Sequence, residues 1–355
     1  MTAQALLLNV LLITLACNCT ACLTNREQEK PAESGFVPPK DSRTFHLKET
    51  GGQIDLTILY GNLSVSDDSI VNWVQNAAKA VTAYFGHYPA RQLRIVIEPG
   101  GSSKIGEGVT TEDGILVKIG PGTQQADLND DWVMTHEMFH VAFPDLDNQY
   151  VWLQEGLASY LEPLARVRLG FITPERLWGD MVEGMPEGQP EPGDKGLDHT
   201  HTWGRTYWGG SMFCLQADLR IRDLTNNRKS LDDAMRAILE QGGDHLRHWT
   251  IEKVIDVGDR ATGTTVLRDL YNQMCCKPVT YDLDGLWRRL GVKYENGKVT
   301  FNDNAPMAAI RRSMTARVPE PQVRRAIFTC HARVIILHYT SRRIAPLDTP
   351  RKRGG

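Results

Sequence analysis

Polar side chains with a fixed spacing stand out in the segment His136-Glu137-Met138-Phe139-His140. On an α-helix, residues i and i+4 lie about one turn apart on the same face, so the imidazoles of His136 and His140 can reach one metal ion. Glu137 lies beside them, where its carboxylate can take a proton from a metal-activated water without being a ligand. The spacing therefore predicts a metal site with its own general base, which is the chemistry of metal-assisted hydrolysis.

A His-Glu-x-x-His segment also occurs by chance, and a catalytic zinc ion needs a third protein ligand. Glu155 is the candidate, in a second helical pattern that residues 141 to 154 separate from His140. That length fits a turn followed by a helix that runs back across the first. Because a carboxylate in so apolar a stretch is costly unless it is paired or metal-bound, we predict that His136, His140 and Glu155 hold one zinc ion, Zn2+.

The residues around these side chains predict two buried helices that carry them. Asp130 and Asp131 are good residues for the N-terminus of the first helix, and Pro144 would stop it. Gly156 is unfavourable in the middle of a helix, so its presence in the second helix predicts that the two helices approach each other closely there.

The segments HEMFH and WLQEGLASY together resemble the zinc site of the gluzincin metallopeptidases, the group that includes thermolysin, aminopeptidase N and the glycyl aminopeptidases. The block GRTYWGGSMF at residues 204–213 and the segment after it are similar to the glycyl aminopeptidase relatives, and the resemblance covers roughly residues 105–240. It implies a zinc-dependent peptidase with an α+β, thermolysin-like (zincin) catalytic domain. Such a domain has a small mixed β-sheet with a helix, followed by a mostly helical lobe.

The resemblance also implies roles for residues outside the ligand set. Tyr207 lies in the third block and would donate a hydrogen bond to the oxyanion that forms during peptide hydrolysis, although a core tyrosine packed beside Trp208 is the alternative. Arg205 is a candidate for contacting a substrate carboxylate. Ser159, one helical turn after Glu155, either holds a ligand imidazole by a hydrogen bond or bonds only a backbone carbonyl.

The substrate is predicted to be a peptide or protein, bound along an edge strand of the sheet that we place within residues 108–120. Aminopeptidase N-like enzymes carry a Gly-x-Met-Glu-Asn segment on that strand, and its glutamate grips the free amine of the substrate. Here Glu107 or Glu112 can fill that role, or each is a solvated carboxylate in a loop. The sequence therefore leaves endopeptidase and aminopeptidase open.

A second cluster of metal-binding residue types lies at Asp198, His199 and His201, in a stretch rich in glycine and proline. These side chains can bind a second metal, but polar histidines at a protein surface are far commoner. We therefore predict a loop near the mouth of the cleft, with surface histidines.

The cysteines after the leader match no zinc-finger spacing. In an exported protein, a disulfide from Cys214 to Cys275 or Cys276 is conceivable. The sequence does not support a cysteine nucleophile.

The two ends of the chain have compositions unlike the rest. Residues 1–22 contain a short apolar core followed by cysteines, which predicts an export signal and, at Cys17 or less well at Cys22, attachment of a lipid that anchors the protein to a membrane. Residues 23–43 would be a linker. Residues 317–355 form a basic tail to which we assign no function. The predicted location is the periplasm or the cell envelope.

The composition between these ends is that of an ordinary globular protein. The 355-residue chain is 41% hydrophobic and has a formal net charge of −3, which argues against a nucleic-acid partner. No stretch after the leader reaches the roughly 20 apolar residues of a membrane span. We predict a β-rich lobe at residues 44–130 and a helical zinc-peptidase lobe at residues 131–316.

Two rival interpretations use the same residues. A zinc-binding envelope protein without proteolytic turnover would keep the three ligands, but the presence of Glu137 and Tyr207 weighs against it. A purely structural protein, in which HEMFH is only a buried helix, would bind no stoichiometric metal.

Overall fold

The computed structural model describes residues 42–101 and 104–318. Five strands form one mixed sheet in the order β1-β2-β3-β5-β4. The three inner strands are mutually parallel, and the two edge strands are antiparallel to their neighbours. The strands are β1 (Arg43–Glu49), β2 (Gly52–Ile58), β3 (Gln92–Pro99), β4 (Ile105–Thr111) and β5 (Gly114–Ile119).

The crossover between the parallel strands β2 and β3 is helix α1 (Asp67–Phe85). Its N-terminal cap is Ser66, whose side chain accepts a hydrogen bond from the backbone of Ser69. It ends at Gly86, where a φ of 85° suits a residue without a side chain. Helix α1 packs on β1 and on the helices that carry the predicted ligands, so it joins the sheet to the site.

Helix α2 (Gln125–Asp130) leads into α3 (Val133–Val141), and α4 (Val151–Leu169) follows after a short 3-10 turn. The carboxylate of Asp131 accepts hydrogen bonds from the backbone of Met134 at 3.1 Å and from the indole of Trp73 at 2.9 Å. This aspartate therefore satisfies the start of α3, as the sequence predicts, and also fastens it to α1. Helix α3 ends at Val141, before the predicted stop at Pro144.

The rest of the described chain is mostly helical, and a buried apolar core continues from the sheet into these helices. A capping box between Ser230 and Asp233 starts α7. The elements are α5 (Pro174–Gly184), a π-helical turn (Arg205–Gly209), α6 (Gly210–Leu224), α7 (Leu231–Glu240), α8 (Ile251–Thr262), α9 (Val266–Met274), α10 (Leu283–Leu290), the hairpin β6 (Val292–Glu295) and β7 (Lys298–Phe301), and α11 (Ala308–Met314).

Gly156 allows a close helix contact, but with a different partner from the predicted one. A Cβ atom on Gly156 would lie 2.3 Å from backbone atoms of Gly210, the first residue of α6. The close approach is therefore between α4 and α6, not between α3 and α4. The prediction considered only helices that follow each other in the chain. Gly210, however, meets Gly156 although more than fifty residues lie between them.

The edge strand of the sheet beside α3 is β4, so the prediction of residues 108–120 was only partly right. Residues 114–119 form β5, which is an inner strand. Glu107 lies within β4 and is exposed, whereas Glu112 lies in the turn between β4 and β5. For Glu107, the interpretation as a loop carboxylate was therefore wrong.

The predicted leader, nearly all of the predicted linker and the basic tail lie outside the described residues, as do Cys17 and Cys22. Within the described ranges, no helix combines the length and the apolar character that crossing a membrane requires.

Candidate active site

The three predicted ligands converge on one point. Nε2 of His136 lies 3.1 Å from Oε2 of Glu155 and 3.2 Å from Nε2 of His140, and the distance from His140 Nε2 to Glu155 Oε2 is 3.5 Å. Zinc takes nitrogen and oxygen ligands at about 2.0–2.2 Å in a tetrahedral arrangement, which places ligand atoms roughly 3.4 Å apart. The three atoms already have this spacing, so the residues fit one zinc ion.

Helices α3 and α4 create this arrangement by crossing. Helix α3 presents His136 and His140 from one face, one turn apart, and α4 brings Glu155 against both. His136 is 3% exposed, so its imidazole has lost nearly all contact with bulk water. Ser159 lies one turn further along α4, but its hydroxyl makes no hydrogen bond to either imidazole in the described part of the chain, and Nδ1 of His136 is buried there without a partner.

The charges of the triad are coupled. Burial alone would raise the pKa of Glu155, but hydrogen bonds from His136 and His140 lower it well below its usual range. Burial alone would lower the pKa of His140, but the hydrogen bond to Glu155 and its charge raise it. The negative carboxylate therefore compensates positive charge at this point, which is what a third ligand to a divalent cation must do.

The edge strand β4 holds the side chain of Glu137. The hydroxyl of Thr110 donates to Oε2 of Glu137 at 2.7 Å and lies 3.0 Å from the backbone carbonyl of the same residue. On the same face of β4, a Cβ atom at Gly108 would lie only 2.5 Å from Cγ of Glu137. Glu137 is 6% exposed, so strand and helix together fix where its carboxylate points.

Sequence analysis missed Gly108 and Thr110. Their signal was the two-residue spacing, which places both side-chain positions on one face of a strand. The sequence analysis placed an edge strand within residues 108–120 but did not use this spacing.

Tyr207 reaches the site from the π-helical turn that precedes α6. Its ring stacks on that of His136, with centroids 6.2 Å apart and planes at 26°. Burial, with the negative charge of nearby Glu155, raises the pKa of Tyr207 above its usual value, and Glu137 and Glu107 add to the effect. The structure therefore places the phenol of Tyr207 beside His136 and among these carboxylates.

Arg205 lies one half-turn earlier and has partners of its own. Its Nε atom lies 2.7 Å from Oδ2 of Asp194, and its guanidinium also donates to the carbonyl of Gly188. The side chain is 2% exposed. These contacts fasten the loop before the π-helical turn, and none of them joins Arg205 to the triad.

Two exposed tryptophans flank the site and were not singled out from the sequence. Trp132 is 51% exposed and meets the ring of His136 edge-on at 5.3 Å. Trp203 is 56% exposed and stacks on Tyr207 at 5.9 Å. Together these two exposed rings give the mouth of the site an apolar rim.

The cluster considered from the sequence, Asp198 with His199 and His201, does not form in the structure. Asp198 is buried, whereas His199 and His201 are exposed and do not group with it. Among the described residues, the second set of side chains that can hold a metal is Asp198, Cys275 and Cys276. Cys214 is buried as a free thiol, so the disulfide considered from Cys214 is absent.

Comparison with known proteins supports the fold. No family model and no curated protein matches the sequence. Among solved structures, an aminopeptidase N family protein from Idiomarina loihiensis is 14% identical over 71% of this chain and 49% of its own, with a TM-score of 0.57. An M1 zinc metallopeptidase from Deinococcus radiodurans is 13% identical over 68% of this chain and 53% of its own, with a TM-score of 0.46.

The first of these structures carries the fold assignment. The predicted α+β fold is confirmed: a mixed sheet with a helix, followed by a mostly helical lobe, is shared with this aminopeptidase N family protein. The chain spans about half the length of the solved structures that it matches.

Proposed function

We propose that this chain is a zinc-dependent peptidase that hydrolyses peptide bonds at the site between β4, α3 and α4. The observation that carries the proposal is the convergence of His136 Nε2, His140 Nε2 and Glu155 Oε2 to a tetrahedral spacing beside a fixed carboxylate. Zinc held by these residues would supply Lewis acidity and lower the pKa of a water toward ~7. The fold shared with an aminopeptidase N family protein supports the same activity.

Glu137 is the proposed general base. Its carboxylate is adjacent in sequence to a ligand yet bonded to Thr110 instead of joining the triad, so one oxygen is held by the strand and the other is left for a water proton. After the carbonyl is attacked, the same carboxylate delivers the proton to the leaving amine. The strand contact keeps the carboxylate in position through both transfers.

Tyr207 is the proposed donor to the oxyanion. The stacking on His136 places the ring beside the triad, and a phenol carries its proton at neutral pH. A donor that is already in place stabilises charge as it develops, without the cost of reorganisation.

The substrate is proposed to be a peptide that adds to the free edge of β4 as an extended strand, with backbone hydrogen bonds supplying affinity. Glu107 lies on this strand, and its negative charge contributes to the raised pKa of Tyr207. An exposed carboxylate in that position can bind a free α-amine. Comparing cleavage of peptides that have free and N-acetylated amino termini, in wild type and in Glu107→Gln, decides between aminopeptidase and endopeptidase action.

We also propose export to the periplasm or cell envelope, with lipid attachment at Cys17 or Cys22. The support is the sequence of residues 1–22 alone. Fractionating cells that express the full chain, alongside Cys17→Ser and Cys22→Ser variants, and following lipid incorporation tests both parts of this proposal.

The deciding experiment combines zinc content with turnover. The purified wild-type protein should carry one zinc ion at this site and cleave members of a peptide library. Glu155→Ala should lose that zinc, and Glu137→Gln should keep it while turnover falls by orders of magnitude. His248→Ala, which alters an exposed histidine paired with Asp145, is the matched control and should change neither property.

The outcomes separate the rival interpretations. If the wild-type protein contains zinc but cleaves no peptide in the library, the result favours a zinc-binding protein without turnover. Absence of zinc in the wild type would support the interpretation in which HEMFH is only part of a buried helix. Unchanged turnover in Glu137→Gln would refute the assignment of the base.

A further inference from the structure

The three side chains of Asp198, Cys275 and Cys276 lie far along the chain from the proposed zinc triad and have no role in it. The thiol sulfurs of the two cysteines are 2.8 Å apart, and a ligand atom of each residue lies within 4.8 Å of the others. We propose that these three residues form a second metal site, for a thiophilic divalent cation such as Zn2+ or Cd2+.

The carboxylate of Asp198 is held as a metal ligand requires. Its Oδ1 accepts a hydrogen bond from the indole of Trp152 at 2.9 Å, and its Oδ2 accepts one from the hydroxyl of Tyr271 at 2.8 Å. Each oxygen keeps a lone pair beyond these bonds. Such outer hydrogen bonds orient ligating carboxylates in metal sites, and the side chain is only 6% exposed.

The backbone fixes the aspartate against the two cysteines. Leu197 and Asp198 donate backbone hydrogen bonds to the carbonyls of Met274 and Cys275, at 2.9 and 3.0 Å. Gly196 has a φ of +97°, and a Cβ atom there would lie 2.4 Å from the carbonyl oxygen of Cys275, so only glycine fits. Loop and helix end are thus joined at two consecutive residues, which holds the backbone of Asp198 beside that of the two cysteines.

The two thiols are free in this structure and are not joined in a disulfide. Zinc–sulfur bonds of about 2.3 Å in a tetrahedral arrangement place two sulfur ligands roughly 3.8 Å apart, so the two side chains must open by about 1 Å to share a cation. Sulfur ligands with one carboxylate suit zinc-like ions.

Such a site would connect the loop before the π-helical turn to two helices. Cys275 and Cys276 follow α9, and Trp152, which holds Asp198, lies on α4 three residues before Glu155. A bound cation would therefore strengthen the support of α4 through Trp152, about one turn before Glu155. The proposal does not depend on peptidase activity, because none of its three ligands takes part in the zinc triad.

The test uses cadmium, because the ultraviolet charge-transfer band from thiolate to Cd2+ reports sulfur ligands and is blind to the His-His-Glu triad. Metal-free full-length protein, kept reduced, is titrated with CdCl2. The background chain carries serine in place of four other cysteines, which are Cys17, Cys19, Cys22 and Cys330. We expect the band to saturate at one Cd2+ per chain in a Glu155→Ala background, and to reach the same amplitude when the triad is intact.

Variants locate the site. Cys275→Ser and Cys276→Ser should each abolish or strongly weaken the band, whereas Cys214→Ser, which alters a buried thiol elsewhere, should retain it. Tyr271→Phe removes only a hydrogen bond to Asp198 and should weaken Cd2+ binding by about 10–100-fold. Circular dichroism confirms that each variant is folded.

The proposal is overturned if the background chain shows no saturable band, or if the band survives in both Cys275→Ser and Cys276→Ser. It is also overturned if Tyr271→Phe and Asp198→Asn bind Cd2+ as tightly as the background chain, because the carboxylate would then not be a ligand. A failure of the peptidase proposal alone would leave the band intact.

Discussion

Gly108 is the position where one added methyl group should disable the general base and leave the metal site intact. An alanine Cβ there would lie 2.5 Å from Cγ of Glu137, whereas ordinary contacts begin at 3.4 Å, so strand and side chain must separate by about 0.9 Å. A displacement of about 1 Å in a catalytic group can cost roughly 100-fold in rate, or about 2.7 kcal/mol of barrier. We expect Gly108→Ala to lower kcat by that factor.

The assay is steady-state hydrolysis of a peptide found in the library screen, with zinc content measured on the same samples. Zinc should stay at the wild-type level, because Gly108 contacts the base and none of the three ligands. Gly100→Ala is the matched control, since a Cβ atom there would meet nothing within 4 Å. A kcat for Gly108→Ala within threefold of wild type would refute the argument that β4 positions Glu137, and loss of zinc would show that the strand supports the whole site.

Two further changes test other parts of the site and its support. Tyr207→Phe should keep zinc and lower kcat by about 10²–10³-fold, the usual cost of removing one oxyanion donor, and an unchanged kcat would return Tyr207 to a packing role. Arg168→Met removes the partner of buried Asp232, which lies 2.8 Å away, and should lower the free energy of unfolding by about 3–5 kcal/mol in urea denaturation. Its control is Arg176→Met, in an exposed pair worth about 0–1 kcal/mol; equal losses in the two variants would contradict the burial argument.

Several features of the fold could be read from the sequence because their signals are local. The end of α1 at Gly86 and the end of α4 at Gly170 follow from glycine's access to positive φ, and the capping box at Ser230 follows from a spacing of three residues. The bounds of strand β4 were predicted only in part because its two glycines and exposed polar residues give a weak strand signal. Its partner β5 stabilises it across a turn, which local propensity does not capture.

The residues of the candidate site also fall into two groups, those with a local sequence signal and those whose contacts depend on the tertiary structure. His136 and His140 could be predicted because helical periodicity alone places them together, and Glu155 because an acidic residue in an apolar helix needs a reason to be there. No local rule joins Thr110 or Gly108 to Glu137, since the contact depends on how the edge strand lies against α3. These residues position the base, and only the folded chain identifies them.

The sequence by itself determined the proposed class of site, because the proposed zinc ligands and the proposed base are specified by residue type and by spacing along one helix and the next. The tertiary structure alone decided which partners surround them. It paired Gly156 with α6, committed Arg205 to Asp194, and brought Asp198 to two cysteines in place of the neighbouring histidines. The physical reason is that helix geometry is set by neighbours a few residues away, whereas these contacts are set by packing between segments that are distant in the chain.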